Sequence, residues 1–143
     1  MDVTLRRIAS LTYWADDVAA AAAWYTEVLG AGPVFTRPGP GGRPGYAAFA
    51  IDADTRLAIA SRATAPPGAA LEPGGAVGHW DVEDLDAVLG RLLSMGAKEW
   101  IPLTPHGPVV SAAVLDPFGN VVGLISDQHP GADFPGGRPP DPA

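Results

Sequence analysis

His79 and Asp81 stand two residues apart in the run HWDV, a spacing that on a β-strand sets an imidazole and a carboxylate side by side on one face. An imidazole with a pKa of about 6.5 suits proton transfer, so this pair is the chain's candidate for general acid or base work in an isomerase or lyase. Taken alone, His79 is equally a half-buried histidine satisfied beneath a loop. As metal ligands the two fall short, because ordinary divalent sites draw three or four donors from imidazole, carboxylate or thiolate, and no obvious third accompanies them. His106 falls in a loop read over Thr104 to Pro108, and His129 in the C-terminal tail. The absence of cysteine removes disulfides, thiolate nucleophiles and Cys-bound zinc or iron–sulfur sites together. Residues 39–45, GPGGRPG, have the glycines of a phosphate cradle but neither its Lys-Ser/Thr ending nor a following helix, so they read as a flexible loop able to act as a lid.

The charge balance narrows the partners. Sixteen acidic against nine basic residues give a net charge of −7, which repels nucleic-acid phosphates, favours cationic or neutral ligands and keeps the protein dispersed in solution. No apolar run approaches the roughly 20 residues that span a bilayer, so no membrane association is expected. The alanine run Ala19 to Ala23 follows an acidic pair rather than a basic segment and reads as helix, not leader peptide; the expected location is cytoplasmic.

The elements that must position these groups come in two copies. TYWADDVAAAAAWYTEVLGA, residues 12–31, is echoed by HWDVEDLDAVLGRLLSMGA, residues 79–97: a strand end, an acidic pair (Asp16, Asp17; Glu83, Asp84), a helix-like stretch and a closing Gly-Ala. ADTRLAIAS, ending at Ser61, answers FGNVVGLIS, ending at Ser126. The acidic pairs lie 67 residues apart, the closing glycines 66 and the serines 65, so two units of one length fill the chain. In the first, a strand is expected over Arg7 to Ala15, a helix capped by Asp16 or Asp17 and running to Leu29, a loop over Pro38 to Gly45, and strands over Tyr46 to Ile51 and Leu57 to Ala60. In the second, strands are expected over Val77 to Val82, Glu99 to Leu103, Val109 to Leu115 and Val121 to Ile125, with a helix from Leu85 to Met95 and a turn at DPFGN, residues 116–120. Neither half can bury a good core alone, so both belong to one domain over residues 1–126: module one 6–62, linker 63–75, module two 76–126. Residues 127–143 read as a Pro/Gly-rich tail. Tyr13, Trp24, Tyr25 and Trp80 fall on helix-facing or helical positions and read as core.

A twice-repeated βαβββ unit with an acidic pair before each helix, Trp24-Tyr25 followed by Val28-Leu29-Gly30, and the Asp116-Pro117-Phe118-Gly119-Asn120 turn resembles the vicinal oxygen chelate superfamily of glyoxalases, bleomycin resistance proteins and extradiol dioxygenases. The resemblance implies an α+β fold, two tandem βαβββ modules whose mixed sheets form a ligand-binding cup, in a homodimer. It also implies where a divalent ion would be held: Ser10 and Ala58 in the first module, Val77 and Gly123 in the second. None of these is a competent ligand, so no metal and no other cofactor is expected. Such a cup would be lined by Ser10, Thr12 and Trp14 from one module and Val77, His79 and Asp81 from the other, with Tyr46, Phe49, Trp100 and Phe118 as aromatic walls and His106 as a further ligand-binding residue. The function expected is metal-independent binding of a small aromatic molecule, in the manner of bleomycin resistance proteins, sequestering a natural product or antibiotic. The alternative is a glyoxalase- or dioxygenase-like enzyme, metal-free with His79 or Asp81 as base, or using a non-standard metal site.

Overall fold

The computed structural model of this protein describes residues 3–69 and 72–127; the tail from residue 128 on, with His129, lies outside the described residues. Two compact units, Met1–Leu71 and Glu72–Ala143, divide the chain. Each is a βαβββ module. The first holds β1 (Ser10–Ala15), α1 (Val18–Leu29), β2 (Phe35–Pro38), β3 (Pro44–Ala50) and β4 (Arg56–Ser61). The second holds β5 (His79–Asp81), α2 (Leu85–Ser94), β6 (Lys98–His106), β7 (Val109–Leu115) and β8 (Val121–Ser126). The fold is α+β with two four-stranded mixed sheets, ordered β1-β4-β3-β2 and β5-β8-β7-β6. In each, the helix carries the chain to the far edge and a three-strand meander returns it beside the first strand, which therefore pairs parallel with the last.

The repeated acidic pair does the same job twice. Asp17 Oδ1 accepts from Ala20 N at 3.0 Å and Asp84 Oδ1 from Ala87 N at 3.0 Å, each cap in extended conformation at φ −114. Each satisfies one of the amides a helix start leaves unpaired and sets a negative charge against the positive end of the helix dipole. On α1 the stripe buries Val18, Ala21 and Tyr25 against the sheet, and the Tyr25 ring lies 5.7 Å from that of Tyr13 on β1. Leu85 and Leu92 are the buried residues of α2.

Register sorts the paired strand residues onto one of two faces. In the first sheet Leu11 pairs with Leu57 and Leu57 with Phe49, while Tyr13 pairs with Ile59 and Ile59 with Ala47. These rows lie under α1 and, Leu11 apart, are buried. The intervening rows, Thr12–Ala58–Ala48–Phe35 and Trp14–Ala60–Tyr46–Arg37, make the face turned away from the helix. In the second sheet the rows Trp80–Leu124–Ala112 and Val122–Val114 take the helix side, and His79–Gly123–Ala113–Ile101 and Asp81–Ile125–Ser111–Thr104 the other.

Four expectations need correction. β1 begins at Ser10, three residues later than Arg7, and β5 is only His79–Asp81. The first module has an edge strand, β2, that its exposed and Pro-flanked sequence hid. The Thr104 to Pro108 segment is mostly strand, since β6 reaches His106; Pro102 and Pro105 are tolerated because β6 is an edge strand with two register shifts.

Candidate functional site

The residues expected to line a ligand site fall in several places. Ser10, Thr12 and Trp14 alternate along β1 with Leu11, Tyr13 and Ala15, so all three stand on the helix-free face, Ser10 and Thr12 exposed and Trp14 half-buried. Ala58, Ala60 and Ala48 run between Trp14 and Thr12 on one side and Tyr46 and Phe35 on the other. These three alanines are themselves buried, Ala58 at 1% and Ala48 and Ala60 at 7% exposure, between the taller side chains of Trp14, Tyr46 and Phe35. Two strand spacings, roughly 9.6 Å, separate the Trp14 and Tyr46 backbones. Phe49 is not part of this surface. It is 1% exposed, sits in the row with Leu57 and Leu11 beneath α1, and belongs to the core.

Two residues not singled out from the sequence complete the first face. Phe35 and Arg37 lie on β2, and the Arg37 guanidinium carbon stands 4.8 Å from the Tyr46 ring centroid and 5.9 Å from that of Phe35. The Phe35 and Tyr46 rings themselves meet edge-to-face at 6.1 Å. The available signal was the period of two in Phe35-x-Arg37, which a strand assignment would have turned into a shared face.

On the second sheet His79 and Asp81 share the helix-free face, both exposed, with Ser111 and Thr104 further along the Asp81 row. Val77 lies just before β5 and is half-buried. Trp100 sits at the first register shift of β6, 38% exposed and without a paired partner across the strand. His106 is the exposed last residue of β6, opposite Val109. Phe118 is half-buried in the DPFGN turn, donating its N–H to Asp116 Oδ1 at 2.9 Å, an oxygen that also accepts from Asn120 N at 2.8 Å. That buried carboxylate organises the turn and explains its composition.

The residues present do not suit a divalent ion. Ala58 offers no donor. At Gly123 even a Cβ would come within 2.8 Å of His79 Cδ2 and 2.8 Å of the Gly78 carbonyl oxygen, because the imidazole lies across the glycine. The space a ligand-bearing side chain would need is taken by the neighbouring histidine. Among the described residues no three or more His, Cys, Asp or Glu cluster so as to hold a metal ion.

A cavity of about 390 Å³ opens elsewhere in the first module, between the start of α1 and the GPGGRPG loop, lined by Asp16, Asp17, Arg43 and Ser61 with loop backbone. The loop folds tightly on itself: a Cβ on Gly45 would lie 2.9 Å from the Gly39 Cα, so the chain can cross there only as glycine on glycine. Asp16 is paired with Arg62 at 3.3 Å and Asp17 is committed to its helix, which leaves this cavity without a clear chemical character. Among the described residues no helix is long and apolar enough to cross a membrane.

Comparison with known proteins agrees with this geometry. The profile of the Glyoxalase/Bleomycin resistance protein/Dioxygenase superfamily matches residues 7–124. TnmS3, an antibiotic binding protein from Streptomyces sp. CB03234, is 27% identical, with a TM-score of 0.63 over 87% of this chain and 98% of that one. A glyoxalase/bleomycin resistance protein from Catenulispora acidiphila is 28% identical, with a TM-score of 0.58 over 83% and 96% of the two chains. A protein from Agrobacterium tumefaciens solved by solution NMR shares the fold at a TM-score of 0.71, 18% identity and 85% and 98% coverage. No curated protein matches the chain.

Proposed function

The chain belongs to the glyoxalase/bleomycin resistance protein/dioxygenase superfamily, and from that membership we propose that it is a metal-independent binding protein, sequestering a small aromatic natural product or antibiotic on the helix-free faces of its sheets. The observation that carries this reading is the His79 ring lying over Gly123. A side chain able to bind metal from position 123 would collide with it, and among the described residues no cluster of three or more His, Cys, Asp or Glu offers a ligand set for the Lewis acid on which glyoxalase and dioxygenase chemistry depends. The likeness to an antibiotic binding protein at 27% identity supports binding as the activity.

In this reading Trp14 is the stacking wall, on the row it shares with Tyr46. A flat guest gains from buried area and from oriented ring contact. The test is a panel of flat aromatic antibiotics titrated against the protein while tryptophan fluorescence is followed, with elemental analysis of protein purified without chelator. Saturable quenching by one member, weakened roughly five- to 150-fold by Trp14→Ala, is expected, with no stoichiometric metal. About one zinc, iron, nickel or manganese per chain, lost on His79→Ala, would overturn metal independence.

An enzyme reading keeps one specific support, the exposed His79–Asp81 pair on one face. His79→Ala separates the classes: a binding protein loses modest affinity, whereas an enzyme using the imidazole as base loses about a hundredfold or more in turnover with binding largely kept. The assembly proposed is a homodimer. Val34 and Phe35 beside and on edge strand β2 are 61% and 53% exposed, and Trp100 and Ile101 on edge strand β6 are 38% and 42%, surfaces that a second copy would cover. Sedimentation should give about twice the 14.6 kDa chain mass, and a concentration-independent monomer would refute it. The proposed location is the cytoplasm.

A further inference from the structure

Resting on the reading of the helix-free face of the first sheet as a ligand platform, we propose that Arg37 makes that platform selective for anions, so that the guest is a flat aromatic molecule carrying an ionised acidic substituent such as a carboxylate or phenolate. Three observations converge. The guanidinium is held by two rings, 4.8 Å from the Tyr46 centroid and 5.9 Å from that of Phe35, within the range of cation–π attraction. A cation–π contact consumes none of the guanidinium's five N–H donors, so the fork that binds a carboxylate through two parallel bonds remains for a ligand. No hydrogen-bond acceptor or carboxylate among the described residues takes those donors.

The second observation is the charge of the sheet itself. The chain is strongly acidic, yet β1 to β4 contain no Asp or Glu and two arginines, Arg37 and Arg56. Arg56 donates to the carbonyls of Asp52 and Thr55 at 3.2 and 3.4 Å. Among the described residues, Arg37 is therefore the cation of this carboxylate-free sheet whose N–H donors meet no acceptor, in a chain of net charge −7. The third is its place: Arg37 ends the row Trp14–Ala60–Tyr46–Arg37 on the helix-free face, so a guest held against that face meets the guanidinium at the β2 edge. The preference expected from total charge, for cationic guests, is reversed locally on this face.

The test uses the full chain and three matched probes: 2-naphthoate, 2-naphthamide and 2-naphthylmethylammonium, titrated by calorimetry into wild type, Arg37→Gln, Arg37→Lys and Trp14→Ala. Wild type should bind naphthoate at least about tenfold tighter than naphthamide, since the charge-assisted pair adds to a common aromatic contact. Arg37→Gln should abolish that preference, weakening naphthoate about tenfold more than naphthamide. Arg37→Lys should restore it only in part, for want of the planar fork. Trp14→Ala should weaken all three probes alike. Equal affinity for naphthoate and naphthamide, tighter binding of the ammonium probe, or a charge preference that survives Arg37→Gln overturns the assignment while leaving aromatic binding intact. No saturable binding of any probe up to millimolar concentration overturns this assignment and the platform beneath it together.

Discussion

The two modules repeat a backbone and not a surface. β1 and β5 are each followed by an Asp-capped helix, and both sheets run first-fourth-third-second. Their helix-free faces nonetheless differ at every equivalent row. Where the first sheet has Thr12–Ala58–Ala48–Phe35, the second has His79–Gly123–Ala113–Ile101; where the first has Trp14 and Tyr46, the second has Asp81 and Ser111. One face is aromatic and basic, the other carries an imidazole, a carboxylate and hydroxyls. Capping and core positions are held by the fold, which needs the same thing in each copy. On the helix-free rows nothing in the fold obliges the copies to agree.

The largest effect that sharpens this comparison lies in the cores. Phe49→Ala should destabilise the protein by about 3–5 kcal/mol, because a ring 1% exposed leaves a cavity under α1. The equivalent Val114→Ala, which deletes two methyl groups, should cost about 2 kcal/mol. Chemical denaturation measures both. If Phe49→Ala instead leaves stability unchanged and abolishes ligand binding, that ring belongs to the site and the face assignment is broken.

Next come the paired positions 58 and 123. Gly123→Ala should cost about 1–3 kcal/mol, since the new methyl meets the His79 ring and the Gly78 carbonyl at 2.8 Å. Adding His79→Ala should return only part of the loss, because the carbonyl stays. At the matching place in the first sheet the preference between glycine and alanine inverts: Ala58→Gly should cost about 1 kcal/mol through a lost buried methyl and a looser strand. A Gly123→Ala protein as stable as wild type, with the His79 resonances unshifted, would show that the histidine does not depend on that glycine.

The shared features should behave alike. Asp17→Ala and Asp84→Ala each remove one cap bond of 3.0 Å and should each cost about 1 kcal/mol; a difference larger than that between them would mean the copies are not equivalent even at their helix starts.

The smallest effect concerns acid. The Asp52 carboxyl is held below its ordinary range, chiefly by the Asp54 amide and then by that of Thr55. A folded-state pKa depressed in this way contributes stability above the unfolded value and loses it as pH falls through the folded one. Because Asp52 is fully exposed the effect is slight. The stability gap between wild type and Asp52→Asn should narrow as pH drops from about 6 to about 2, and a gap that widens on acidification contradicts the assigned direction.

Much of this was legible along the chain because it is local. The acidic pairs, the helix that follows each and the alternation that puts Ser10, Thr12 and Trp14 on one face all depend on residues within a turn or a strand of one another. The DPFGN turn is local too, closed by Asp116 on amides two and four residues away. What lay beyond the sequence depends on pairings between distant segments. β3 reads PGYAAFA, with an aromatic on each face, and only its register with β4 decides that Tyr46 is half-buried on the helix-free face and Phe49 buried beneath α1. β2 is a four-residue edge strand whose only partner is β3, so nothing in FTRP announces that Arg37 comes to rest over Tyr46 and Phe35. From the sequence Gly123 is an absent ligand. In the structure it is the opening into which the His79 ring fits, a contact made between strands 44 residues apart in the chain and therefore decided by packing rather than by periodicity.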